Sequence, residues 1–115
     1  MTKEQMEQLV QRQLDAYNRR DLKDFCDCYH PDVKVTNLIA GEIGSTGKAE
    51  FTAVYKGLFE SSPKLHCELK SRIILASAVI DEEWVTGAAK YPNGLHAVAV
   101  YGFKNGLIDR VWFTR

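Results

Sequence analysis

Cysteine, proline and tryptophan are scarce in this 115-residue chain, with 3, 3 and 2 copies respectively, and each shortage removes a class of explanation. The cysteines are odd in number, Cys26 and Cys28 two apart and Cys67 alone, so no disulfide framework is implied and a reducing cytoplasm is the expected home. Residues two apart on a helix point away from each other. Cys26, Cys28 and His30 also lack the further ligands of a structural zinc site, so neither a metal nor another cofactor is expected. No apolar run approaches the roughly 20 residues that span a bilayer, and Met1-Thr2-Lys3-Glu4-Gln5 leads into a polar amphipathic segment rather than a secretory signal. Excess charge of either sign is missing: 15 Lys plus Arg balance 15 Asp plus Glu, which argues against nucleic acid as the main partner. Repeats, linkers and low-complexity tracts are absent too. One domain over residues 1–115 remains, with 45% hydrophobic and 26% charged residues, ordinary values for a globular chain that buries roughly two-thirds of its unfolded surface.

Periodicity then divides the chain in two. Met6, Leu9, Val10, Leu14 and Tyr17 form one helical stripe over Thr2 to Arg19, opened by a Thr2/Gln5 capping box. Asp21 caps a shorter helix bearing Leu22, Phe25, Cys26 and Tyr29, which His30-Pro31 ends; the short Asn18-Arg19-Arg20 joint makes the two a packed hairpin. Val33 to Asn37 alternates as a strand, and Gly41 to Gly47 reads as a glycine-rich turn. A third helix carries Phe51, Val54, Tyr55, Leu58 and Phe59, with Gly47 as its cap and Ser61-Ser62-Pro63 as its stop. After Pro63 everything reads as strands: Leu65 to Leu75, Val79 to Thr86, Leu95 to Phe103 and Ile108 to Arg115, with turns at Tyr91–Gly94 and Asn105-Gly106. The fold class is α+β, three helices followed by a long antiparallel meander, with the helices on one face of a curved sheet.

The order of these parts resembles a known family. Tyr17-Asn18-Arg19-Arg20-Asp21-Leu22 is followed by Phe25 and Tyr29-His30-Pro31-Asp32-Val33. Gly44-Ser45-Thr46-Gly47-Lys48, Phe51 to Tyr55, and Asn105-Gly106-Leu107-Ile108 to Trp112-Phe113 complete the series. Together they resemble the SnoaL-like and ketosteroid isomerase-like branch of the nuclear transport factor 2-like superfamily along essentially the whole chain. The resemblance implies a cone-like curved antiparallel sheet with three N-terminal helices on its concave face, an apolar pocket with a few polar groups between them, and commonly a homodimer. The expected occupant is a small apolar or carbonyl ligand, and the expected dimer surface is the outer sheet face. It does not imply steroid isomerisation. Ketosteroid isomerases use an Asp base with a Tyr and a protonated Asp on the developing enolate; these positions correspond to Asn37, Gln13 and Ala99 here, and only Tyr55 matches a pocket tyrosine. Gly44 to Lys48 is no phosphate loop either, because Glu42 and Ala49 stand where that motif needs glycine and a hydroxyl residue.

Strand alternation together with the resemblance puts Ile80, Glu82, Trp84 and Thr86 on the pocket face. Leu65, Cys67, Leu69, Leu95, Ala97, Ala99, Tyr101, Val111, Phe113 and Arg115 join them. Glu82 is then the candidate catalytic acid or base, its pKa raised by burial; a register slip of one residue would instead turn it to solvent beside Asp81 and Glu83. Gln13, Asn37 and Tyr55 offer neutral hydrogen bonds to a carbonyl or hydroxyl ligand, or satisfy one another in a structural cavity. Tyr17, Phe59 and Tyr101 read as pocket or core aromatics and Cys67 as an apolar wall residue. Arg115 either faces the pocket mouth or frays into solvent. His66, Ile74, Val98, Val100 and Trp112 would share the outer face, an apolar patch of the kind that marks an interface. The functional expectation is an acid–base isomerase, cyclase or (de)hydratase, set against a non-catalytic ligand-binding or protein-interaction module.

Overall fold

Local chemistry sets the helix ends. Thr2 accepts from the Gln5 N–H while the Gln5 side chain accepts from the Thr2 N–H, the expected capping box. Asp21 caps the second helix through the Asp24 N–H, and Gly47 opens the third, with Glu50 accepting from the Thr46 N–H at 2.9 Å. The computed structural model describes residues 1–114. Among them run α1 (Lys3–Arg19), α2 (Leu22–Asp27), β1 (Tyr29–Asn37), β2 (Glu42–Thr46), α3 (Lys48–Ser61), β3 (His66–Ile74), β4 (Ala78–Thr86), β5 (Leu95–Lys104) and β6 (Leu107–Phe113). No helix among these residues is long and apolar enough to cross a membrane.

The strands form one curved sheet in the order β2-β1-β6-β5-β4-β3. The meander from β3 to β6 is antiparallel, as the sequence suggests, and Asn105-Gly106 makes its last turn with positive φ at both residues. Two features depart from expectation. The Gly41 to Gly47 stretch contains a strand, β2, which pairs with β1; its residues other than Ser45 are exposed, so it has no apolar alternation to read. β1 pairs with β6 in parallel, which the long intervening connection permits.

The three helices lie across one side. α1 packs on β3 and β4, and α3 on β1 and β2. Where the helices meet, Phe25 is the hub: it stacks on Phe51 at 5.6 Å between centroids and touches the Tyr55 ring at 4.7 Å and the Tyr29 ring at 5.0 Å. Such aromatic pairs add roughly 0.5–1.5 kcal/mol beyond their buried area.

A bulge in β3 decides which charges go inward. Leu69 pairs with Glu83 and Ser71 with Glu82, so Lys70 is the extra residue. After it, Arg72 turns to the concave face opposite Asp81. Its Nε and Nη2 donate to the two Asp81 carboxylate oxygens at 2.7 and 2.9 Å, and its Nη1 donates to Gln11 Oε1 of α1 at 2.9 Å. Asp81 is fully buried and the Arg72 side chain is 9% exposed. Removing one partner of such a pair strands a charge in the interior. Asp81→Ala is expected to lower stability by about 3–5 kcal/mol in urea unfolding; a loss near zero would show that the pair does not anchor α1 to the sheet.

Candidate functional site

Between the helices and the concave face lies a hollow of about 250 Å³. Its walls are mostly apolar and aromatic, with Leu14, Tyr17 and Phe25 from the first two helices, Val54, Tyr55 and Leu58 from α3, and Val85, Leu95, Ala97 and Phe113 from the sheet. Polar groups gather at one part of the lining: Gln13, Tyr29, Tyr101, Cys67 and Glu83. Lys90 adds an exposed cation. This composition, apolar walls with a few directed polar groups, is that of a small-molecule site.

Hydrogen bonds fix the polar group. Gln13 on α1 is buried; its Nε2 donates to Val10 O at 2.9 Å and to the Tyr101 hydroxyl at 3.2 Å, and its Oε1 accepts from the Tyr29 hydroxyl at 2.7 Å. Burial pushes both phenols well above their ordinary range, reinforced by Tyr55 at Tyr29 and by the Glu83 charge at Tyr101. Both therefore stay protonated at neutral pH. Glu83 is 6% exposed and shares a cross-strand row with Leu69 and Ala97. Burial first, then the nearby Glu83 charge, raises the Cys67 pKa strongly.

The expectation for Glu82 is corrected. On β4 the residues that turn inward are Val79, Asp81, Glu83 and Val85. Glu82 lies on the convex face, where Ser71 donates to one of its carboxylate oxygens at 2.9 Å and His96 Nε2 meets the other at 2.6 Å. The His96 contact first and the Ser71 bond second hold its carboxyl below the ordinary range, opposite to the rise expected on burial. Ile80, Trp84 and Thr86 move out with it. The Trp84 ring lies over Gly94, where a Cβ would fall 2.5 Å from it, which is why the Tyr91–Gly94 turn needs glycine there.

The other sequence-derived candidates divide. Gln13, Tyr17, Tyr55, Cys67, Tyr101 and Phe113 line the hollow. Ala99 and Phe59 are buried but do not line it: Ala99 sits between Asp81 and Phe113 in the sheet, and Phe59 packs edge-on against Tyr17. Asn37 is spent on the β1–β2 turn, its Oδ1 accepting from the Ile39 and Ala40 N–H groups. Arg115 lies outside the described residues. Tyr29, which the sequence places on the second helix, is a pocket residue at the start of β1. Glu83 is the residue that sequence reasoning passed over, although its spacing from Val79 and Val85 carries the signal. Among the described residues no cluster of three or more His, Cys, Asp or Glu side chains could hold a metal ion.

The profile of the SnoaL-like domain family matches residues 10–111. No curated protein matches the chain in sequence. Among solved structures, an uncharacterised cystatin-fold protein from Novosphingobium aromaticivorans is 25% identical, with 100% of this chain and 99% of that chain covered at a TM-score of 0.86. A Kribbella flavida protein provisionally named a ketosteroid isomerase is 18% identical, covering 96% of this chain and 77% of that one at a TM-score of 0.83. A Jannaschia protein provisionally named a SnoaL-like polyketide cyclase is 16% identical, covering 95% and 83% at 0.79. At the last two identities the likeness is one of fold.

All three cysteines are free and buried, and burial pushes the Cys28 thiol up to about 11. Raised thiol pKa values suppress the thiolate that reacts. At about pH 8, Cys28 and Cys67 are expected to resist alkylation in the folded protein and to react once urea unfolds it. Labelling of Cys67 within minutes under native conditions would contradict the burial and charge assigned to it.

Proposed function

Because the chain belongs to the SnoaL-like domain family, we propose that its hollow receives a small, largely apolar molecule bearing a carbonyl oxygen and that Glu83 transfers a proton on it. The observation that carries this reading is a carboxylate 6% exposed in an aromatic chamber, on the strand face opposite to Glu82. A carboxylate there is positioned to take a proton from the carbon beside the carbonyl. The C–H electron pair moves into the carbon–carbon bond and the carbonyl π pair onto oxygen, giving an enolate. Hydrogen-bond donors around the oxygen stabilise that charge better in a dry site than in water. The Glu83 carboxyl then returns the proton to the same or another carbon, or the enolate adds to a second carbonyl. Isomerisation, cyclisation and dehydration share this first step.

Proton transfer is testable without the natural substrate. The methyl protons of acetylnaphthalene should exchange in deuterium oxide faster with the protein than in buffer, read by NMR, and Glu83→Gln should cut the enhancement at least about hundredfold. Glu82→Gln should leave it intact. Exchange that survives Glu83→Gln removes Glu83 from the chemistry. A ketone-dependent rise in melting temperature with no exchange would identify a non-catalytic binding module instead.

The convex face supports a homodimer. Ile43, Thr36, Trp112, Val100, Ile80 and Ile73 are register partners in one row across all six strands. Ile43 and Ile73 are 58% and 54% exposed, and so wide a row, apolar except for Thr36, on an uncovered sheet suits a second copy of the same sheet. Three buried free thiols agree with a reducing cytoplasm. Trp112→Arg should convert a dimer to a monomer in sedimentation velocity; a wild-type protein that sediments as a monomer at micromolar concentration would end the dimer proposal.

A further inference from the structure

Among the described residues Gln13 is the one amide that lines the hollow, and its orientation is not ambiguous. Its nitrogen lies 2.9 Å from the Val10 carbonyl oxygen; exchanging nitrogen and oxygen would set two acceptors against each other. The direction of every other bond follows from that one. The amide nitrogen carries two protons, one for Val10 O and one for the Tyr101 hydroxyl oxygen. The amide oxygen takes the Tyr29 hydroxyl proton. Tyr29 thus spends its proton inside the protein and keeps lone pairs, whereas Tyr101 receives a proton and retains its own. Among the described residues no side chain accepts a hydrogen bond from Tyr101. Tyr101 is one of the residues that line the hollow.

Resting on the reading of this chamber as a carbonyl site, we infer that Gln13 is a positioning residue that polarises the two tyrosines, so that Tyr101 is the donor offered to the ligand's oxygen and Tyr29 is not. The ligand class narrows accordingly to one that presents a hydrogen-bond acceptor, a carbonyl or its enolate, at Tyr101. The raised pKa of both phenols keeps each protonated through the physiological range, so the polarity does not lapse with pH. Gln13→Glu is the informative variant because it is isosteric. An oxygen in place of Nε2 carries at most one proton, which the Val10 carbonyl claims. Tyr101 must then turn its O–H onto residue 13 and away from the chamber.

Two measurements decide the matter. In the ligand-free protein, proton NMR should show a Tyr29 hydroxyl proton protected from exchange and close to the Gln13 side chain, with the Tyr101 hydroxyl exchanging freely; protection of the Tyr101 proton in place of that of Tyr29 overturns the inference. With ligand, the wild type should bind acetylnaphthalene about tenfold more tightly than isopropenylnaphthalene, which has the same shape without the carbonyl, and the bound ketone's C=O stretch should fall in the infrared. Tyr101→Phe and Gln13→Glu should each abolish the preference and the shift; their retention in Gln13→Glu overturns the inference. Should neither probe bind, the carbonyl-site reading fails while the hydroxyl measurement still decides the polarity.

Discussion

The two-residue alternation of β4, locked by its neighbours on both sides, is the constraint on which the site depends. β4 is an interior strand, paired with β3 along one side and β5 along the other. Sliding it by one residue would exchange Asp81 and Glu83 for Glu82 and Trp84 throughout. The Arg72–Asp81 pair opposes that slip, since it can form only with Asp81 inward and with Lys70 accommodated as a bulge. The same pair ties the strand to Gln11 of α1. Placement of Glu83 in the chamber and placement of Gln13 above it are thus consequences of one register.

The chamber and the aromatic hub divide the interior between them. Phe25, Phe51 and Phe59 fill the space where α2 and α3 meet, with ring contacts close enough to exclude water. Toward the sheet, small side chains, Cys67, Ala88 and Ala97, stand where larger ones would close the hollow. Space for a ligand arises from this change of side-chain size, while the rigid aromatic layer holds Tyr17, Tyr29 and Tyr55 at its rim.

Most of the scaffold was legible in the sequence because its signals are local. The capping box, Gly47, Asp21 and Asn105-Gly106 each act within a few residues, and each sits where the composition implies. What was not legible depends on distant partners. β2 has almost no buried residue to mark it, and the β1–β6 pairing joins segments far apart in the chain. On β4 both faces carry apolar side chains, Val79 and Val85 inward and Ile80 and Trp84 outward, so alternation alone cannot choose between them. The bulky Ile80 and Trp84 favoured the wrong face. Arg72 holds the missing information, but only once the bulge at Lys70 is known.

The parallel seam between β1 and β6 has a consequence for how the molecule is made. Apart from β6 the β1–β2 hairpin has no neighbour among the described strands of the sheet, so although α3 packs on it, it joins the sheet only once β6 is made. Closing so large a loop before any contact rewards it costs entropy and slows folding. During translation the early strands would remain without their partner, their edges open to association, and the chamber would be among the last features of the molecule to exist.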